Sequence, residues 1–333
     1  MPDKSTEINK YAPYIPMKKD LVPMLYGDVP SFLRSPIARC PEDLREYDYA
    51  ILGVPWEGAL TWGGSTGCIQ APNVIRQVSL RYGGYIPELD INLLDYVKLC
   101  DFGNVDVCHG NVHETFRRIE ESVKCIIENN SKPISLGGDH SIAYPIVKAI
   151  SECNPRKNIG VVHFDSHFDN LDDFLGDRLS RCSPIRRISE LKNVNPEHII
   201  QIGIRGPRNS QYAAEFAKKA GIKFYTILDI RRRGINTIMD EVLKRLEDVN
   251  IIYMTVCMNV LDVAHAPGAA LDPMGLTSYE MLQASYEIGK AGLYALDIVE
   301  LYPPTDINNI TAHMATWIIL YALAGVAASK IEK

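Results

Sequence analysis

The stretch Ile159–Asp169, "IGVVHFDSHFD", runs from an apolar, β-branched segment straight into Asp165, His167 and Asp169. Val and Ile in a short run bounded by polar residues read as a buried strand. Residues two apart lie on one face of a strand, so the three ionisable groups share a side, and leaving the strand lets them converge. Convergent carboxylates and imidazoles offer oxygen and nitrogen to a divalent cation. A lone Asp or His at a strand end is ordinarily a helix cap or a hydrogen-bonded loop residue. Several ionisable groups directly behind an apolar run point to a site instead.

Seven more runs of this type flank the first: "YAILGVPW" from Tyr49, "VKLCDFGNV" from Val97, "PISLGGDH" from Pro133, "HIIQIGIRG" from His198, "IKFYTILDI" from Ile222, "IIYMTVCMNV" from Ile251 and "LYALDIVEL" from Leu293. Between them lie segments with apolar residues three and four apart, among them "HETFRRIEESVKCIIENN", "SQYAAEFAKKAG" and "INTIMDEVLKRLEDV". Short β-rich runs alternating with helical periodicity predict an α/β fold with a mostly parallel central sheet and helices on both faces. No compositional break divides the series, so residues 46–333 read as one domain behind an N-terminal extension, residues 1–45, that contains several prolines.

The 333 residues, 46% of them apolar, suffice for a large core, and a net charge of −6 with interspersed signs gives no basic stripe for nucleic acid. The first twenty residues lack the apolar core of a signal peptide, which predicts a cytoplasmic protein. Eight scattered cysteines with no C-x-x-C pair fit reduced thiols. The most apolar segment, "MATWIILYALAGVAA" from Met314, falls short of the ~20 residues of a membrane span and reads as a helix packed on the sheet.

Two further strand ends are polar, "GGDH" (Gly137–His140) and "CMNVLD" (Cys257–Asp262). In open parallel sheets the ligand crevice lies just beyond the carboxyl ends of the strands. The motifs "SLGGDHS", "HFDSHFD", "LDVAHAPG" and "MGLTSYE", with "APNVIR" near the front and "LDIVELYP" near the end, together resemble the ureohydrolase family of arginases, agmatinases and related guanidino-acid hydrolases. The likeness spans almost the whole domain in the family's order. It implies a three-layer arginase-like fold in which two manganese ions, bridged by a hydroxide, hydrolyse a guanidino or amidine C–N bond. It also implies a homo-oligomer, trimeric or hexameric. By position, His140, Asp165 and Asp169 resemble the ligands of one metal, Asp165 and His167 those of the other with Asp165 bridging, and Glu300 resembles the acid that pairs with the substrate guanidinium.

The chain departs from the family where two Asp ligands are usual, carrying Cys257 and Asn259 instead. Arg181 stands where the family often has a proton-shuttling His, and Asn104 where Asp is frequent. Losing anionic ligands weakens a pair of mutually repelling dications. Three readings stay open: a single remaining ion on His140, Asp165 and Asp169, with Cys257 as a thiolate favouring zinc or iron; a catalytically silent homologue with no metal that binds a ligand or an active partner subunit; and Cys257 as a nucleophile activated by His167 or His163. Trp56, Trp62 and Tyr85 suit a lid or packing, "GGSTG" (Gly63–Gly67) a flexible loop, and Asp172, Asp173 and Asp177 a cationic-tail subsite or a solvated loop.

Overall fold

The computed structural model describes residues 30–58 and 66–332, so the first part of the N-terminal extension, Trp62 and most of "GGSTG" lie outside the described residues. Ten strands occur among them: β1 (Tyr49–Gly53), β2 (Tyr85–Ile86), β3 (Ile91–Asn92), β4 (Leu99–Asn104), β5 (Lys132–Leu136), β6 (Ile159–Phe164), β7 (Ile199–Ile204), β8 (Lys223–Thr226), β9 (Ile251–Cys257) and β10 (Leu293–Val299). β2 and β3 form a small antiparallel ribbon, and the other eight build one sheet in the order β4-β1-β5-β10-β9-β6-β7-β8, with every pairing parallel. Those eight strands are the eight apolar runs read from the sequence.

Alternate residues of each strand feed two separate apolar layers. One holds Ile51, Ile134, Val162, Met254 and Leu296 together with helix residues Ile75, Ile238, Ile288 and Ile318. The other holds Leu52, Val161, Tyr253 and Ala295 together with Ile119, Ile146, Ile188 and Ala217. The result is a three-layer sandwich with the sheet in the middle. The apolar C-terminal segment is the helix Ile310–Ile331, long enough to cross a membrane but 78% buried over its most apolar window, which makes it a core helix of the sandwich.

The described part of the extension packs on the sheet edge. Phe32 is fully buried, its backbone N–H donates to Asp101 Oδ2 at 3.0 Å, and Ile37 bridges to Asp101 in parallel fashion. Asp101 is also paired with buried Arg76, whose Nη1 donates to Asn104 Oδ1 at 2.6 Å. Asn104 thus completes an edge network rather than facing the strand-end crevice.

Candidate metal centre and substrate pocket

Four central neighbours, β5, β10, β9 and β6, come from distant parts of the chain but end side by side. β10 registers Ile298 against Leu136 and Val299 against Cys257, while β6 sets Phe164 beside Val256. The residues following these ends therefore meet over the sheet. From β5 comes a one-turn helix, His140–Ile142, capped by Asp139, whose Oδ1 accepts from Ser141 N at 3.0 Å. Gly138 is required there, because a Cβ would sit 1.7 Å from the Trp56 carbonyl oxygen. Asp169 and Glu300 both hold left-handed backbone, φ 46° and 60°, a strain that non-glycine residues accept only where the surroundings impose it.

His140, His163, Asp165 and Asp169 present donor atoms that all lie within 4.8 Å of one another. His140 Nδ1 is 2.9 Å from Asp165 Oδ2 and 2.9 Å from Asp169 Oδ2, and His163 Nε2 is 3.4 Å from Asp165 Oδ2. Yet His140 Nδ1, His163 Nε2 and Asp165 Oδ2 have no aligned hydrogen bond and no access to solvent. Buried polar atoms are rarely left this way. The His140 Nδ1 and the carboxylates of Asp165 and Asp169 converge on the space between them, a nitrogen and oxygen donor set that suits one divalent cation.

The imidazoles are oriented from behind. Thr255 Oγ1 donates to Asp297 Oδ1 at 2.6 Å and so accepts from His140 Nε2 at 3.0 Å, leaving the Nδ1 lone pair for the cluster. Gln201 Nε2 donates to His163 Nδ1 at 2.9 Å, so the neutral His163 ring carries its proton on Nε2 and turns that N–H toward Asp165 Oδ2. Burial opposes charge on His140, but Asp165 and Asp169 outweigh it and hold its pKa well above the ordinary value. Burial keeps His163 low, and contacts from the three histidines hold Asp165 well below the usual carboxylate range despite its burial.

The other half of the expected centre is different. Asn259 Oδ1 accepts from Ser166 N at 3.0 Å, which turns its amide nitrogen toward His167 Nδ1 at 3.2 Å. His167 Nε2 lies 3.3 Å from Asp272 Oδ2, and Asp272 also accepts from Ser166 Oγ at 2.9 Å and pairs with Arg208. A hydrogen-bonded network therefore stands in place of a second donor cup, and these residues do not fit a second cation. Asp165 divides the two halves: Oδ1 accepts from His167 N at 2.7 Å, and Oδ2 faces the cluster. Cys257 reaches the pocket wall but not the donor cluster. Burial, with Asp165, Glu300 and Asp169 nearby, pushes its thiol well above the ordinary value, so it stands as a neutral thiol.

Beside the cluster opens a pocket of about 360 Å³ lined in part by His167, Asp169, Arg181, Cys257, Asn259 and Glu300. Arg181 Nη1 donates to Glu300 Oε2 at 3.0 Å and lies 2.9 Å from Tyr302 Oη, while Tyr302 Oη also donates to Glu300. Burial raises the Glu300 pKa against the opposing pull of Arg181. Of the other residues singled out in the sequence, Trp56 is buried and Tyr85 exposed. Asp172 pairs with Arg178 and Arg187, while Asp173 and Asp177 hold the turn that carries them through Gly176 N and Leu179 N. His163 as a cluster member, and Tyr302, were not read as site residues. His163 stands two positions before Asp165 on the same strand face, and that spacing was the available signal.

A sequence profile of the arginase family matches residues 47–325, and the chain belongs to that family. Within it, the chain is 39% identical over 269 residues to a formimidoylglutamase of Halalkalibacterium halodurans, covering 78% of this chain and 82% of that protein. It is 32% identical to an agmatinase of Bacillus subtilis over 87% of this chain and 95% of the relative. The crystal structure of formimidoylglutamase from Bacillus subtilis superposes with a TM-score of 0.78 at 30% identity, covering 84% and 87% of the two chains.

Proposed function

We propose that this chain is a cytoplasmic hydrolase, its catalytic domain spanning residues 46–333, that cleaves a C–N bond of a small guanidino or amidine compound with one bound divalent cation rather than two. The observation that carries the reading is the convergence of buried His140 Nδ1 and Asp165 Oδ2 with Asp169 Oδ2, with no aligned hydrogen bond at His140 Nδ1 or Asp165 Oδ2. Family likeness makes manganese the first candidate, and zinc and iron also suit this nitrogen and oxygen set. The free thiols of all eight cysteines support a reducing compartment.

A divalent cation in this cup would supply Lewis acidity and lower the pKa of water toward neutrality. The protein's own contribution is placement. Thr255 and Gln201 aim the two imidazoles, and the β9 and β6 ends exclude bulk water from them. His167, its side chain 20% exposed at the pocket, stands nearest to solvent and is the group positioned to pass a proton out, with Asp272 at its far nitrogen. The relatives named formimidoylglutamase and agmatinase support amidine and guanidine chemistry as the class.

A second reading, a silent homologue that binds a ligand or an active partner subunit, draws support from the hydrogen-bonded Asn259 and His167. Elemental analysis of protein purified without chelator or affinity metal, followed by assay of guanidino and amidine substrates, separates the two. Close to one ion per chain together with release of ammonia, urea or formamide supports the hydrolase; a chain that stays empty after incubation with manganese, zinc and iron overturns it.

A further inference from the structure

Arg181 is surrounded by three acids that do not depend on it for their positions. Its Nη1 bonds Glu300 Oε2, and its Nη2 lies 3.5 Å from Asp139 Oδ2 and 3.9 Å from Glu57 Oε1. Each acid is anchored from elsewhere by a backbone N–H: Glu300 Oε1 by His140 at 2.8 Å, Asp139 Oδ2 by Gly58 at 2.7 Å, and Glu57 Oε2 by Gly67 at 2.8 Å. The Arg181 side chain is 5% exposed, and burial is outweighed by these acids and Tyr302, so the guanidinium stays charged. Its Nη2 and Nε, like Glu57 Oε1, make no aligned hydrogen bond. The acids thus form a preset anionic cage, and a guanidinium tethered to the chain occupies it without using all of its capacity.

We infer that Arg181 determines specificity: it is a resident guanidinium that holds Glu300, excludes guanidino compounds from this acid and limits the site to substrates whose reacting group is not a guanidinium. The inference rests on reading this pocket as the hydrolytic site. Physically it is a competition. Two guanidinium ions cannot share Glu300 Oε2 in a buried pocket without repelling each other, and the tethered one is present at far higher effective concentration. A substrate must therefore anchor on something other than a pair between its own cation and Glu300.

The experiment is chemical rescue. Wild type, Arg181→Ala, Arg181→His and the double variant Arg181→Ala/Glu300→Gln are melted and titrated calorimetrically with low-millimolar guanidinium or methylguanidinium chloride against matched sodium chloride. Arg181→Ala and Arg181→His should gain a saturable guanidinium-dependent rise of about 2–5 °C. Wild type and the double variant should show none. Saturable stabilisation of the wild type, or folded single variants that bind no more guanidinium than wild type, would overturn the inference. Saturable stabilisation of the wild type overturns the inference even if the variants fail to fold. Metal content is read on the same samples: metal present without rescue defeats this inference alone, whereas rescue without metal defeats only the hydrolytic reading.

Discussion

Two halves of one crevice floor differ in what their polar atoms do. On the His140 side, His140 Nδ1 lies 2.9 Å from a carboxylate oxygen of both Asp165 and Asp169 without an aligned hydrogen bond; on the His167 side, Asn259, Ser166, Asp272 and Arg208 bond one another. The same sheet carries both, and Asp165 contributes one oxygen to each. The contrast is the one expected if a cation belongs to the first side alone: there polar atoms converge without completing aligned hydrogen bonds, whereas on the second they satisfy one another.

The strongest way to break the contrast is to remove the shared residue. Asp165→Ala should lower affinity for manganese or zinc by at least about a hundredfold, since neither half retains its central carboxylate. Equilibrium dialysis followed by elemental analysis reads this directly, and retention of near-stoichiometric metal would show that Asp165 is no ligand. Next in size is the converse, Cys257→Asp with Asn259→Asp. Two added carboxylates offset the repulsion between dications, so bound metal should rise from about one to about two per chain. A count unchanged from wild type would mean that Arg208 and Asp272 also have to be altered.

How far the sequence revealed this contrast depended on the range of the interactions involved. Strand identity is local, which is why all eight apolar runs of the main sheet were legible, as were the polar strand ends that carry His140, Asp165 and Asp169, whereas Glu300 came only from the family resemblance. The fate of the substituted half was not. Asn259 could be identified as a missing carboxylate, but the orientation of its amide is set by Ser166 N, a residue 93 positions away. Asp272, which takes up the second nitrogen of His167, lay in a loop with no periodic signal. Arg181 was legible as an added charge; its seat among Glu57, Asp139 and Glu300 depends on three separate loops.

A third test concerns what keeps the bonded half in place. Buried Arg205 donates to the carbonyls of Asn259, Val260, Leu261, Asp272 and Pro273, pinning both ends of the segment that carries Asn259 and Asp272. Arg205→Ala removes this donor from all five carbonyls, of which Val260 keeps the Leu276 N–H, and should cost about 2–4 kcal/mol in urea unfolding. Hydrogen exchange should rise in residues 258–274 while β5 and the His140 turn stay protected. Equal loss of protection on both sides would mean that the two halves are one cooperative unit.

A last test concerns the support behind His140. Burial pushes the Asp297 carboxyl up to about 7, against the pull of His140 and of the Val256 backbone N–H, and Thr255 and Tyr253 both donate to it. Its ordinary value is 3.8, so between about pH 4 and 7 the folded chain binds more protons at this group than the unfolded chain does. The Asp297 contribution to stability is therefore most favourable below about pH 4, declines as pH rises through this window and is level above pH 7. A shift of that size corresponds to a decline of roughly 4 kcal/mol at most. Asp297→Asn keeps an acceptor for Thr255 but cannot ionise, so subtracting its urea-unfolding profile from that of the wild type isolates the effect. A difference that is flat from pH 4 to 7 would mean that Thr255 and Tyr253 fully compensate the buried charge, and that the backing of the cation side is as saturated as the His167 side already is.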